Sequence, residues 1–155
     1  MSTYKFGQHI IHSSQVFFLS KQCFGFVNLK PVAAGHVLLA PIRLVQRYSD
    51  LNSDEVCDLF LSAQKIGKVI EREYQGTSLT FAIQDGPEAG QTVPHCHLHI
   101  IPRKAGDWMN NDDIYTEIDK ASKVDNEERT PRSFEEMEKE AKYLRQFFNN
   151  DNVKN

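Results

Sequence analysis

His95-Cys96-His97-Leu98-His99-Ile100-Ile101 is the stretch of sequence that decides the fold. Imidazole and apolar side chains alternate along it, and the side chains of a β-strand alternate between the two faces of a sheet. We therefore expect a strand over residues 95–102, with the three histidines in one row on an open face. The apolar residues between them would point into the core, and neighbouring histidines would lie about 6.5–7 Å apart along the strand.

Such a row allows three interpretations. One is a solvated polar face without chemistry. The second is a zinc site, because two imidazoles spaced as His-x-His can bind zinc with further ligands such as Asp85 or Asp107. The third is nucleophilic attack by an imidazole on phosphorus, and the residues around the row favour it.

The chemical case for a nucleophile rests on the imidazole itself. Its neutral form is nucleophilic near pH 7, because its ordinary pKa is about 6.5. Attack on phosphorus gives a phosphoramidate that water then cleaves, which divides one difficult step into two easier ones. Neighbouring imidazoles can donate hydrogen bonds to the phosphate and protonate the departing oxygen. The preceding loop, residues 86–92, offers backbone N–H groups to phosphate oxygens, and its glycines leave room for an anion.

The rest of the chain predicts short strands and two helices. Apolar runs bounded by glycine, proline or polar residues indicate four further strands. They cover residues 16–19, 24–29, 35–41 and 78–84. Asn52 or Ser53 can cap a helix that ends near residue 75, and with Asn52 as the cap Glu55 completes a capping box. Ser133 and Glu136 predict the start of a last helix in the same way.

These elements predict an α+β fold, a meander of mostly antiparallel strands with one long helix and a C-terminal helix. One domain over residues 1–150 is expected, followed by a disordered tail over 151–155. Residues 105–131 are polar apart from a short helical stretch at 114–118. We expect most of this region to be a mobile surface segment.

The composition limits the classes of partner and of location. The sequence has 18 Lys and Arg against 21 Asp and Glu, a formal net charge of −3. No general attraction to nucleic acid or to an anionic membrane is therefore expected. Three cysteines without Cys-x-x-Cys spacing favour reduced thiols. The sequence has neither a signal-peptide pattern nor an apolar run of about 18 residues, so the expected location is cytoplasmic, with the nucleus as an alternative.

The sequence resembles the histidine-triad superfamily, whose signature alternates three histidines with apolar residues. Residues 95–101 match that signature in full when Cys96 is counted as apolar. Within the superfamily the chain is most similar to the fragile histidine triad branch of diadenosine triphosphate hydrolases, and the similarity covers most of the chain. The segments that carry it are residues 6–9, 28–32, 35–38, 76–81, 84–93 and 102–107.

The resemblance implies a role for each matching residue. His97 matches the nucleophile that takes the nucleoside monophosphate, and His99 matches the residue that contacts the scissile phosphate and the leaving oxygen. His95 matches the first histidine, whose backbone carbonyl orients the nucleophile's ring, and His36 matches a supporting histidine. The implied substrate contacts are Asn28 at the ribose, His9 in the pocket, and Gln84, Gly90, Gln91, Thr92 and Val93 around the phosphates.

The implied reaction is hydrolysis of a dinucleoside polyphosphate, such as diadenosine triphosphate to AMP and ADP, through a covalent nucleotidyl-histidine. The resemblance also implies a homodimer, and Tyr115 matches a tyrosine associated with phosphorylation. We expect no metal on the histidines and no tightly bound cofactor, although Mg²⁺ or Mn²⁺ can accompany the substrate phosphates. The alternatives are a nucleoside phosphoramidate hydrolase and a slow-turnover nucleotide sensor that signals to a partner. The preferred base and the polyphosphate length stay open.

Overall fold

The computed structural model describes residues 2–122 and 130–148. Within those residues the chain forms seven strands and three helices. In chain order they are β1 (Thr3–Phe6), β2 (His9–His12), β3 (Val16–Leu19), β4 (Cys23–Val27), β5 (Val37–Pro41), α1 (Ser53–Glu73), β6 (Ser78–Ala82), β7 (Leu98–Arg103), α2 (Asp113–Ser122) and α3 (Phe134–Arg145). The five predicted strands are thus present as β3 to β7, with shifts at several ends.

Five of the strands form one antiparallel sheet in the order β3-β4-β5-β7-β6, and β1 and β2 form a separate hairpin. The histidine strand β7 lies between β5 and β6, so Leu38 and Ala82 are the neighbours of His99 on either side. After β5 the chain forms α1 and then the edge strand β6. It returns as β7, which lies between β5 and β6. The predicted α+β fold, with an antiparallel sheet, one long helix and a C-terminal helix, is confirmed.

Different elements cover the two faces of the sheet. Helices α1 and α3 cover one face, where Leu39 and Ile100 belong to the main core. The β1–β2 hairpin covers part of the other face through a second core that includes Phe6 and Phe26. Because side chains alternate along β7, His99 lies on the hairpin side of the sheet.

Helix α1 supports the sheet from the face opposite the histidines. Asn52 and Glu55 exchange side-chain-to-backbone hydrogen bonds at its start, which is the capping box predicted from the sequence. Ile66 is fully buried against the sheet, and burial of such a side chain contributes about 1.5–3 kcal/mol. A Cβ on Gly67 would lie 2.9 Å from the ring of Phe81, so the glycine lets the helix approach β6 closely.

Three features differ from the predicted elements. Strand β7 begins at Leu98 rather than at residue 95, because the N–H of Cys96 donates to the carbonyl of Val45, outside the sheet. Strand β4 ends before Asn28, whose Oδ1 accepts from the N–H of Lys30 at 3.0 Å and so forms a turn. The β1–β2 hairpin is absent from the prediction, since Thr3–Phe6 and His9–His12 mix polar with apolar residues and form no apolar run like that of β3.

The segment after β7 is anchored to the sheet where the structure describes it. The short helical stretch expected at 114–118 is present as part of the ten-residue helix α2, within the segment 105–131 that was otherwise expected to be a surface segment. Ile114 and Ile118 of this helix are buried with Ile101 of β7 in a third core. Apolar side chains one helical turn apart thus pack α2 against the histidine strand.

Part of the predicted organisation lies outside the described residues. This applies to residues 123–129 and to the expected tail at 151–155. The single domain over residues 1–150 and the mobility of the segment after β7 stay predictions. None of the described helices is both long and apolar enough to cross a membrane.

Candidate active site

A cavity of about 550 Å³ opens beside the histidine strand on the hairpin side of the sheet. Its walls include the hairpin, strand β4 and the turn after it, strand β5, strand β7 and the residues before it, and helices α2 and α3. The lining residues are Phe6, His9, Ile10, Ile11, Gln15, Phe26, Val27, Asn28, Leu29, Lys30, His36, Leu38, Gln84, Thr92, Val93, His97, His99, Ile118, Pro131 and Met137. A concave and largely apolar wall with a few polar groups is typical of a small-molecule site.

The structure brings most of the predicted site residues to this cavity. Those that line it are His9, Asn28, His36, Gln84, Thr92, Val93, His97 and His99. The other three, His95, Gly90 and Gln91, do not line it. Sequence reasoning missed Phe6 as a site residue, although it begins one of the matching segments. Its ring contacts His97 edge-on, with 4.9 Å between the ring centroids.

The ring of His97 is held so that one nitrogen is free to react. Its Nδ1 lies 2.7 Å from the carbonyl oxygen of His95. Because a carbonyl only accepts hydrogen bonds, Nδ1 carries the proton and Nε2 carries the lone pair. The residue is 8 % exposed and lines the cavity, so the lone pair is reached from the cavity rather than from open solvent.

The imidazole of His36 and the backbone N–H of Val32 fix the proton on His99. The backbone N–H of Val32 donates to Nδ1 of His36 at 3.1 Å, so Nε2 of His36 carries its proton. That Nε2 lies 2.9 Å from Nδ1 of His99 and donates to it, which leaves the proton of His99 on Nε2. Among the described residues, this Nε2 is one of two buried side-chain polar atoms without a hydrogen-bond partner. A ligand in the cavity can therefore satisfy a donor whose isolation is costly.

His95 does not line the cavity, and its ring joins the hairpin to strand β5. Its ring is fully buried, Nδ1 accepts from the N–H of Gly7 at 3.1 Å, and Nε2 donates to the carbonyl of Pro41 at 2.8 Å. The predicted open histidine face is wrong, because all three histidines are buried, and Phe6 of the hairpin contacts the rings of His95 and His97. The rings of His97 and His99 also lie closer than the strand rise predicts, with centroids 5.0 Å apart.

Burial keeps the three imidazoles of the row neutral. It lowers the pKa of His97 to about 4, because the charged form loses its hydration. Burial and the neighbouring rings of His36 and His97 lower the pKa of His99 well below its usual value. The pKa of His95 is also lowered by burial. Near pH 7, His97 is therefore neutral with a lone pair on Nε2, and His99 is neutral with a proton on Nε2.

This environment predicts activity at unusually acid pH for a histidine nucleophile. With a pKa of about 4, about nine-tenths of His97 is neutral at pH 5, against about 3 % for an ordinary histidine. We expect kcat/KM to stay level from about pH 7.5 to about pH 5 and to fall near pH 4. The measurement is a steady-state rate profile across overlapping buffers. A tenfold loss by pH 5.5 in folded protein would contradict a neutral, buried His97.

The same burial makes the fold sensitive to acid, and the rate profile needs a control for this effect. The pKa of His97 returns toward 6.5 on unfolding, so the unfolded chain binds more protons between pH 6.5 and about 4. The stability associated with the neutral ring is therefore fully present above pH 6.5 and decreases as the pH falls toward about 4. Circular dichroism at each pH separates loss of fold from loss of chemistry.

Gln91 shapes the loop before β7 instead of lining the cavity. Its Oε1 accepts from the N–H of Gly86 at 2.8 Å, and its Nε2 donates to the carbonyls of Gln46 and Val93. Gly90 has a φ of +92°, in the left-handed region that favours glycine. The Gln91 side chain therefore holds the loop, and the contact of Gln91 with the substrate phosphates stays a prediction.

Hydrogen bonds from Arg132, which lies just before α3, hold the backbone of Asn28 at the cavity wall. Arg132 donates to the carbonyl oxygen of Asn28 through Nε at 3.0 Å and through Nη2 at 2.5 Å. Glu140 accepts from Arg132 at 2.9 Å and from the hydroxyl of Tyr74 at 2.7 Å. Sequence reasoning missed Arg132, because 104 positions separate it from Asn28 and no local pattern joins them.

The arrangement of His97 and His99 is suited to a substitution reaction at one atom of a ligand bound in the cavity. His97 offers a lone pair and His99 offers a proton donor beside it, which is what a nucleophile and a donor to a departing oxygen require. Within residues 2–122 and 130–148, no three His, Cys, Asp or Glu side chains are grouped to hold a metal ion. That the histidines act without a metal stays a prediction.

Comparison with known proteins gives consistent matches. The family described as HIT domain matches residues 11–106, which include the histidine strand. The bis(5'-adenosyl)-triphosphatase of Dictyostelium discoideum is 53 % identical over 148 residues, 96 % of this chain and 95 % of the relative. The bifunctional bis(5'-adenosyl)-triphosphatase/adenylylsulfatase FHIT of Arabidopsis thaliana is 46 % identical over 95 % of this chain and 85 % of its own length. The crystal structure of Plasmodium falciparum diadenosine triphosphate hydrolase in complex with cyclomarin A has a TM-score of 0.79 and 34 % identity, covering 97 % of this chain and 87 % of that one.

Proposed function

The chain belongs to the HIT domain family, and from this membership we propose that it hydrolyses dinucleoside polyphosphates through a covalent nucleotidyl-histidine on His97. It is a hydrolase that acts on phosphoric anhydrides, like its relatives named as bis(5'-adenosyl)-triphosphatases. Diadenosine triphosphate, cleaved to AMP and ADP, is the proposed substrate.

The observation that carries the covalent route is the pair of fixed imidazole tautomers. His97 directs an unprotonated nitrogen, and His99 a protonated one, toward the same cavity. Direct attack by water would need a general base, and a pKa of about 4 makes His97 a weak base for that purpose. A lone pair held beside phosphorus can still attack it, which favours nucleophilic over general-base catalysis.

In the first step, Nε2 of His97 forms a bond to the α-phosphorus as the bond from that phosphorus to the bridging oxygen breaks. The departing nucleotide keeps the electron pair, and Nε2–H of His99 stabilises the charge that develops on its oxygen. Because His99 is neutral, its contribution is a donated hydrogen bond rather than a fully transferred proton. The substituted ring of His97 is cationic, and the carbonyl of His95 accepts from its Nδ1–H.

In the second step, water attacks the same phosphorus and the phosphorus–nitrogen bond breaks. The electron pair of that bond returns to Nε2, so His97 becomes neutral again. The water proton leaves with the product or to solvent, and AMP is released. The buried site favours loss of the cationic intermediate, since burial disfavours a charged imidazole.

A substrate panel tests the proposed activity. Diadenosine triphosphate, diadenosine tetraphosphate and adenosine phosphoramidate are compared at equal concentration, and adenylyl sulfate is added because of the Arabidopsis relative's name. We expect AMP and ADP from the triphosphate at the highest kcat/KM. Faster turnover of the phosphoramidate would assign the chain to phosphoramidate hydrolysis instead, and no turnover of any substrate would contradict the proposal.

Stereochemistry at phosphorus tests the intermediate separately from the activity. Each in-line displacement inverts the configuration at phosphorus, so attack by His97 and then by water gives net retention. Direct attack by water would give inversion. A substrate made chiral at the α-phosphorus with sulfur and heavy oxygen distinguishes the two routes by the configuration of the AMP formed. Inversion would rule out a single covalent intermediate while leaving the hydrolytic activity in place.

We also propose that the chain forms a homodimer and that Mg²⁺ or Mn²⁺ arrives with the substrate phosphates. Edge strand β6 carries the exposed Phe81, and Phe60 and Leu61 of α1 are exposed as well. An unpaired edge with apolar neighbours favours association. Light scattering at micromolar protein should give about twice the chain mass of 17.8 kDa. A clean monomer over that range would contradict the dimer.

A further inference from the structure

Three segments meet at one edge of the cavity. Gln84 follows β6, Gly90 lies in the loop before β7, and Asp119 belongs to α2. Nε2 of Gln84 donates to Oδ1 of Asp119 at 2.7 Å. A Cβ on Gly90 would lie 2.6 Å from that Oδ1 and 2.7 Å from that Nε2, so this contact requires a residue without a side chain at position 90.

The contact determines which way the amide of Gln84 faces. A carboxylate only accepts hydrogen bonds, so the nitrogen of the amide, and not its oxygen, must face Asp119. The nitrogen carries two N–H groups, and Asp119 accepts one of them. Because Gln84 lines the cavity, the second N–H remains available to a ligand there. A charged acceptor also makes this hydrogen bond stronger than one between neutral groups.

Helix α2 thereby becomes part of the site. Ile118 lines the cavity, and its neighbour Asp119 holds a cavity residue that lies 35 positions earlier in the chain. Asp119 itself does not line the cavity. Its effect on a bound substrate would therefore be transmitted through Gln84.

We propose that Asp119 is a positioning residue, which holds the amide of Gln84 in one orientation so that its second N–H is directed at the substrate polyphosphate. This inference rests on the proposed function. Without Asp119, the amide is free to turn its oxygen toward the phosphates, where an acceptor meets an anion. The loss would appear in kcat/KM for the polyphosphate, and only when Gln84 is present.

A double-mutant cycle tests this proposal on the full chain with diadenosine triphosphate. The variants are D119A, Q84A and the double variant, with D119N as the conservative replacement. We expect D119A to lower kcat/KM about tenfold, as for loss of one hydrogen bond to a charged group. In the Q84A background the same substitution should change kcat/KM by less than about twofold. D119N should recover most of the loss, because its amide oxygen can still accept from Gln84.

Control variants separate a positioning role from a structural one. Asp112 is exposed on the same segment, and D112A removes an equal charge, so it should leave kcat/KM unchanged. D119L has a shape similar to that of Asp119 without an acceptor, and it carries the test if D119A fails to fold. Multiplicative effects of the two substitutions, or a D119N defect as large as that of D119A, would overturn the proposal. The wild-type rate in the same assay tests the proposed hydrolase activity itself. Failure of that activity is therefore distinguished from failure of the positioning role of Asp119.

Discussion

Replacement of His97 by alanine is expected to reduce the turnover of diadenosine triphosphate by at least about 10⁴-fold. In the proposed mechanism His97 supplies the electron pair that forms the new bond to phosphorus, and neither of the other two histidines of the row offers a lone pair to the cavity. Nδ1 of His99 accepts from His36, and both nitrogens of His95 are bound to backbone groups. Single-turnover kinetics with excess enzyme measure the loss without interference from product release.

The fold should persist in this variant at some cost in stability. His97 packs against Phe6, and removal of a buried ring leaves a space that the core fills only in part. Thermal unfolding therefore accompanies the kinetics. His12 provides the matched control, because it lies on the hairpin against Phe134 and does not line the cavity. H12A should keep the wild-type rate, whereas near-native turnover in folded H97A would refute the nucleophile.

Much of this site could be predicted because its main pattern is local. Alternation along residues 95–101 placed the histidines on one face and Leu98 and Ile100 on the other, and the structure agrees. The capping box at Ser133 gave the start of α3 to the residue, and the one at Asn52 was one of the two starts predicted for α1. Both signals depend only on the period of a strand or on a few neighbouring residues.

The environment of the histidines could not be predicted in the same way. The N–H of Gly7 reaches His95 across 88 positions, and this contact belongs to a hairpin that periodicity does not reveal. Burial lowers the pKa values, so we expect the acid limit of activity near pH 4 instead of near the ordinary pKa of 6.5. Local patterns indicate which face a side chain takes, whereas burial depends on which distant segment covers that face.

The same reasoning applies to helix α2. Its polar sequence favours a surface segment, and only Ile114 and Ile118 show the helical spacing of a buried stripe. Those two residues suffice to fasten it beside β7, because Ile101 offers an apolar surface there. Asp119 is thereby brought to Gln84, and a residue with no evident role in the sequence becomes a candidate positioning group.

Replacement of His99 by alanine is expected to lower kcat by about 10²–10³-fold, the usual loss when one donor to a developing negative charge is removed. The proton on Nε2 of His99 is the buried donor without a partner, and the chain from Val32 through His36 keeps it there. The loss should be smaller than that of H97A, since the bond-forming electron pair remains. Substrate affinity should change less than kcat, because charge on the departing oxygen develops only in the transition state.

A series of AMP aryl esters distinguishes the atom that receives this hydrogen bond. If His99 donates to the departing oxygen, the H99A defect should increase as the leaving phenol becomes less acidic, since more charge then requires stabilisation. A defect of equal size across the series would place the donor on a non-bridging oxygen instead. H36L, which removes the hydrogen bond to Nδ1 of His99, should reproduce part of the same trend, because the proton of His99 can then occupy either nitrogen. Unchanged kcat in folded H99A would show that the partnerless donor has no part in the reaction.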